Sequence, residues 1–210
     1  MTASGPLYGL VLAGGESRRM GRDKALLDYH GRPQLEWAYQ LVARHCARAF
    51  VSVRASQADE LRSALPRIVD GEAGAGPIAG IAAAQAAHPE AAWLVVACDL
   101  PFLGDALLAH LVARRGAECV TAYRSAHDGL PEPLCAIYEP QTRPAILAAI
   151  AAGRNCPRKF ILGSGVPLLD LPDSVALDNV NTPEDLTGAA GRLAALAHPR
   201  AASPRRMDSQ

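Results

Sequence analysis

The 210-residue chain has no net charge, because 21 lysines and arginines balance 21 aspartates and glutamates. That balance argues against bulk binding of nucleic acid or of an acidic surface, and leaves room only for a local basic pocket. There is no C-x-x-C pair. The five cysteines, at positions 46, 98, 119, 135 and 156, are odd in number and far apart, and Cys98, Cys119 and Cys135 fall in apolar segments. They read as reduced core residues of a cytoplasmic protein rather than as disulfides or a metal site. The histidines form no ligand cluster. His45 and His110 fall in helical patterns, His30, His88 and His198 adjoin turns or the tail, and His127 lies in a polar loop that could face a pocket. None is taken as catalytic. No basic segment followed by an apolar run opens the chain, so no signal peptide is expected. No apolar run is long enough to span a bilayer, so no membrane partner is expected either.

Half of the chain is apolar, enough for a sizeable core in one domain. Residues 1–6 read as a loose leader, 7–198 as the domain and 199–210 as a disordered tail. Strands are predicted over 7–12, 49–53, 68–69, 93–97, 117–123 and 133–138, with a short one inside 163–171. Helices are predicted after Pro33, near 57–65, from Ile78 through 87, around Leu107 to Val112, and over about 141–151. Thr182-Pro183-Glu184-Asp185 reads as the start of a last helix. Strand–helix alternation through the first two thirds predicts a mostly parallel sheet with helices on both faces. The continuous apolar run Leu94-Val-Val-Ala97 fits a central strand. Ligands of such sheets bind outside the carboxyl ends of the strands.

Every unusual polar feature falls at that edge. The stretch from Leu10 to Leu27 begins as a buried strand, breaks at Gly14-Gly15, and then carries Arg18, Arg19, Gly21 and Lys24. Glycines let backbone approach a ligand closely, and free N–H groups can cradle phosphate oxygens. The three cations supply countercharge for a triphosphate. The stretch matches neither well-known phosphate loop. Lys24 is followed by Ala25 rather than Ser or Thr, and the glycines are adjacent rather than spaced as G-x-G-x-x-G.

Asp99 directly follows a buried strand and is trailed by Pro101. It reads either as a ligand for a hard cation such as Mg²⁺ or as a cap for the helix beginning near Gly104. Asp70 opens a glycine-rich loop that includes Gly74, Gly76 and Gly80. Its carboxylate could pair with the two donors on the guanine edge, or could simply close an Asx turn. Asn179 and Asn181 sit just before the last helix start, where they either shape the cap or contact a substrate.

The run Leu12-Ala13-Gly14-Gly15-x-Ser17-x-Arg19-Met20-Gly21-x-x-Lys24 resembles the signature of nucleotidyltransferases that activate small phosphorylated compounds. Together with Asp70 and Gly76-Pro-Ile-Ala-Gly80, Cys98-Asp99-Leu-Pro-Phe102, and Asn179-Val-Asn-Thr-Pro-Glu-Asp185, it resembles the molybdenum cofactor guanylyltransferase (MobA) family. The four blocks span residues 8–187 in order. The resemblance implies a single three-layer α/β domain of Rossmann-like nucleotidyltransferase fold, Mg²⁺ as cofactor, and transfer of GMP from GTP to molybdenum-bound molybdopterin. It implies Lys24, Arg19 and Asp99 as catalytic residues and Asp99 as the metal ligand. Leu12, Ala13, Gly14, Gly15, Lys24, Asp70, Gly76, Gly80 and Asp99 would hold the nucleotide, with Asn179 and Asn181 on the acceptor side. Molybdenum-insertion proteins and molybdoenzyme chaperones would be its partners. Arg54 stands where that family often has Asn, and the segments 130–135 and 153–159 match only loosely. Two other readings stay open: a nucleotidyltransferase using CTP or a sugar 1-phosphate, and a non-catalytic GTP-binding protein.

Overall fold

A computed structural model describes residues 5–14, 23–57, 59–70, 76–180 and 193. The strands are β1 (Leu7–Leu12), β2 (Arg48–Val53), β3 (Arg67–Val69), β4 (Ala92–Ala97), β5 (Val120–Arg124) and β6 (Pro131–Tyr138). The helices are α1 (Gln34–Ala43), α2 (Glu60–Ser63), α3 (Pro77–Ala87), α4 (Asp105–Ala113), α5 (Arg143–Ala151) and α6 (Pro157–Ser164). One sheet takes all six strands in the order β3-β2-β1-β4-β6-β5. β3, β2, β1 and β4 are parallel, and β6 pairs antiparallel with both β4 and β5.

Alternate residues of the central strands feed two separate cores. Val11, Val51, Leu94 and Val96 pack with Leu35, Leu41 and Val42 of α1 and Leu108 and Leu111 of α4. Leu10, Phe50, Trp93 and Val95 point the other way, onto Ile78 and Ile81 of α3, Ile146 of α5 and Ile161 of α6. Both faces of the sheet are therefore covered, and every residue of β4 is buried. This is the three-layer α/β domain with a mostly parallel sheet that the alternation predicted.

Several local readings need correction. β5 starts at Val120, not at 117, because its ladder begins at the pair Val120↔Tyr138. Just past that pair, Pro140 opens a 3-10 turn and has no N–H to extend the ladder. The strand expected within 163–171 is a single bridge, Tyr123↔Leu169. Gly163 belongs instead to α6, which the sequence reading missed; Pro157 opens it and Gly165 ends it in the left-handed conformation. α2 is only four residues long. His45 lies beyond the end of α1. All five cysteines are free; Cys98 and Cys135 are buried, but Cys156 is exposed. Among the described residues, no helix is long and apolar enough to cross a membrane. The expected last helix, the leader through residue 4 and the tail lie outside the described residues, apart from position 193.

Candidate active site at the sheet switch point

The sheet divides at β1. The chain first builds outward through β2 and β3, then returns to β1's other flank with β4. The carboxyl ends of β1 and β4 thus lie side by side where the strand order reverses, which is the crevice position at which open α/β sheets bind ligands. Backbone bonds fix its floor: Cys98 N–H donates to the Leu12 carbonyl at 3.2 Å, and Ala13 N–H to the Ser52 carbonyl at 3.1 Å.

Lys24 and Asp99 meet in this crevice although 75 residues separate them. Lys24 Nζ donates to Asp99 Oδ2 at 3.1 Å, and both side chains remain partly open to solvent. Lys24 sits on a single 3-10 turn, Lys24–Leu26, whose N-cap is Asp23; the Asp23 carboxylate accepts from Ala25 N–H. Asp99 does not cap the next helix. The N-cap of α4 is Gly104, which makes no side-chain capping bond, so the capping alternative falls away. Burial pushes the neighbouring Cys98 thiol up to about 12, and Asp99 and Asp23 add to the rise while Arg62 and Lys24 oppose it. Four charges therefore gather around one buried thiol at the end of β4.

Asp70 forms the second half of the site. Its N–H donates to the Val53 carbonyl at 2.8 Å, and its Oδ1 accepts from Ser52 Oγ at 2.5 Å. Burial pushes its carboxyl above the ordinary value of 3.8, and the Ser52 hydrogen bond and the Arg54 charge pull it partly back. Gly80 on α3 faces the same carboxylate. A Cβ there would stand 2.5 Å from Ser52 Oγ, 3.0 Å from Leu12 Cδ2 and 3.2 Å from Asp70 Oδ1, so only glycine fits without displacing them. A Cβ on Gly14 would stand 3.2 Å from Asp70 Oδ2. Gly76 precedes α3 at φ 65°, a left-handed conformation that favours glycine, with Pro77 at the helix start.

The structure thus brings Leu12, Ala13, Gly14, Lys24, Asp70, Gly80 and Asp99 to one edge of the sheet, with Gly76 opening the helix that carries Gly80. Asn179 is exposed beside Val180, whose N–H donates to the Asp99 carbonyl at 3.3 Å. Gly15, Arg18, Arg19 and Asn181 lie outside the described residues. Sequence reasoning missed Ser52, Asp23 and Arg62. Ser52 did leave a signal, since it is the one polar side chain in the buried run Ala49-Phe-Val-Ser-Val53.

Gly14, Lys24 and the Asp99 carboxylate, gathered at the switch point of a parallel sheet, are what a nucleotide-handling α/β enzyme needs there. The chain belongs to the MobA-like NTP transferase domain family, whose pattern matches residues 9–165, and is a nucleotidyltransferase. It is 39% identical over 183 residues to a Synechocystis protein named molybdenum cofactor biosynthesis bifunctional protein, covering 86% of this chain and 52% of that one. The chain therefore spans about half the length of that relative. It is 35% identical over 191 residues to a probable molybdenum cofactor guanylyltransferase of Trichormus variabilis, covering 89% and 92% of the two chains. Among solved structures it is similar to molybdopterin-guanine dinucleotide biosynthesis protein A of Archaeoglobus fulgidus, at 26% identity and a TM-score of 0.73, covering 89% and 98%.

Proposed function

We propose that this protein transfers GMP from GTP to the molybdopterin form of the molybdenum cofactor and releases pyrophosphate. The observation that carries the reading is the Lys24–Asp99 pair at the switch point, beside the Asp70–Ser52–Gly80 cradle. Relatives named as guanylyltransferases support the same donor and product. Asp70 accepts the N1–H and N2–H₂ donors of guanine, and the ring lies against the glycines. The triphosphate meets the backbone at Gly14, just past β1. Lys24 and Arg19 neutralise it. The terminal phosphate oxygen of the pterin forms a bond to the α-phosphorus, the bond to the β-phosphate oxygen breaks, and pyrophosphate leaves with the electron pair. Such transfers need alignment and charge stabilisation more than covalent help from the protein. By the family resemblance, Asn179 and Asn181 would contact the acceptor.

Asp99 is the residue that would hold Mg²⁺. Among the described residues no group of three or more His, Cys, Asp or Glu is arranged to hold a metal ion. A single hard carboxylate suits an ion that keeps its waters and takes phosphate oxygens for the rest of its shell. When bound, the ion would supply positive charge against the phosphates.

The test is pyrophosphate release from GTP and, separately, from CTP, with Mg²⁺ and molybdenum-loaded molybdopterin. Release with GTP alone is expected. Release with CTP alone would keep the fold and assign a cytidylyl transfer. GTP binding without release would favour another acceptor or a non-catalytic role.

A further inference from the structure

We infer that Arg62 is a positioning residue for Lys24, acting through Asp23. This rests on the reading of Lys24 as the cation that meets the triphosphate. Arg62 is only 1% exposed, although it sits on the four-residue helix α2. A guanidinium taken out of water needs partners for its fork of donors. One partner is local. Nη1 donates to Asp59 Oδ2, and Asp59 is itself fixed by accepting from the Arg62 backbone N–H at 2.9 Å. That pair alone would be an ordinary capping arrangement of α2.

The other arm of the fork reaches far along the chain. Nη2 lies 2.8 Å from Asp23 Oδ2 and donates to the Ala13 carbonyl at 3.3 Å. Ala13 directly follows β1, and Asp23 directly precedes Lys24. The same Asp23 carboxylate caps the 3-10 turn on which Lys24 is the first residue. Arg62 therefore grips both the carboxylate that orients the Lys24 backbone and the carbonyl at the end of β1. Two carbonyl-type partners held by one planar group define a distance between them. A lysine at this position would offer a point charge and could not hold all three acceptors in register.

The experiment measures the affinities of GTP, GMP and ATP, each with Mg²⁺, in the wild type, Arg62→Lys, Asp23→Asn and Lys24→Ala. Preference for GTP over GMP reports the phosphate side; preference for GTP over ATP reports the base side. Arg62→Lys keeps the charge, so a change reflects position. Asp23→Asn keeps an oxygen able to cap the turn and removes a negative charge, which by charge alone would strengthen triphosphate binding. We expect both variants to lose roughly tenfold of the GTP-over-GMP preference and to keep the GTP-over-ATP preference. Lys24→Ala should lose the first preference too, and adding Arg62→Lys to it should cost nothing more. If both variants fold and keep the GTP-over-GMP preference, the inference is overturned. Equal loss of both preferences would show a merely structural role and overturn it as well. If Lys24→Ala itself keeps the preference, the reading of Lys24 fails and this inference falls with it.

Discussion

Asp99→Ala should reduce pyrophosphate release by at least roughly 10²–10³-fold while leaving the fold in place. The two halves of that expectation come from different magnitudes. A thousandfold loss corresponds to about 4 kcal/mol of transition-state stabilisation. The Lys24–Asp99 pair, by contrast, is partly exposed, with 19% and 25% of the side chains open to solvent. Such pairs contribute only about 0–1 kcal/mol to folding once screening is counted. Activity should therefore collapse while the unfolding midpoint moves by a few degrees at most. Asp99→Asn is the sharper variant, because it preserves shape and removes the charge that both Lys24 and a hard cation require. Its activity should be as low as that of the alanine variant and should not return when Mg²⁺ is raised. Near-normal Mg²⁺-dependent turnover in either variant would remove Asp99 from the metal site.

The expectation for Asp99 could be formed from sequence because a buried strand announces itself. Trp93 to Ala97 is an unbroken apolar run, and the residue that follows such a run in a parallel sheet lands at the ligand edge. The same logic placed Gly14 and Asp70. Legibility failed where the determining contact is remote or the element is small. α6 begins with Pro-Arg-Lys and ends in Gly-Ser, so its apolar stripe is too thin to stand out, yet Ile161 reaches the core. Arg62 lies in a short polar stretch, and nothing near it in sequence reveals partners 39 and 49 residues away. Ser52 is intermediate: its chemistry was visible as an oddity within β2, but its partner Asp70 was fixed only by the pairing of β2 with β3. Local pattern thus gave the carboxyl ends of the four parallel strands β1 to β4, whereas the side chains that hold the site residues in place are consequences of tertiary register.

Asp70→Asn should lower the preference for GTP over ATP by roughly a hundredfold or more, mostly through the KM for GTP. A site built to accept two donors discriminates strongly, because a ligand lacking those donors leaves its buried acceptors unpaired. A carboxamide offers one acceptor where the carboxylate offers two, and its NH₂ would face the donors of guanine. The backbone around Asp70 should not move, since its N–H bond to Val53 and the space beside Gly80 do not depend on the charge. The acidity of the group adds a second signature. Burial raises the Asp70 carboxyl above 3.8, and the Ser52 hydrogen bond and Arg54 lower it partway back. Only the ionised form offers two acceptors, so the wild-type preference for GTP should decline as pH falls toward that raised value, earlier than for an ordinary carboxylate. Ser52→Ala removes one of the two groups that hold the value down, so its decline should begin at still higher pH. In Asp70→Asn the preference should be low and flat across the same range, because no proton is left to bind there. Binding of GTP and ATP measured from neutral pH downward in these three proteins checks the direction of every shift. A wild-type preference that stayed constant with pH and survived Asp70→Asn would place guanine recognition elsewhere.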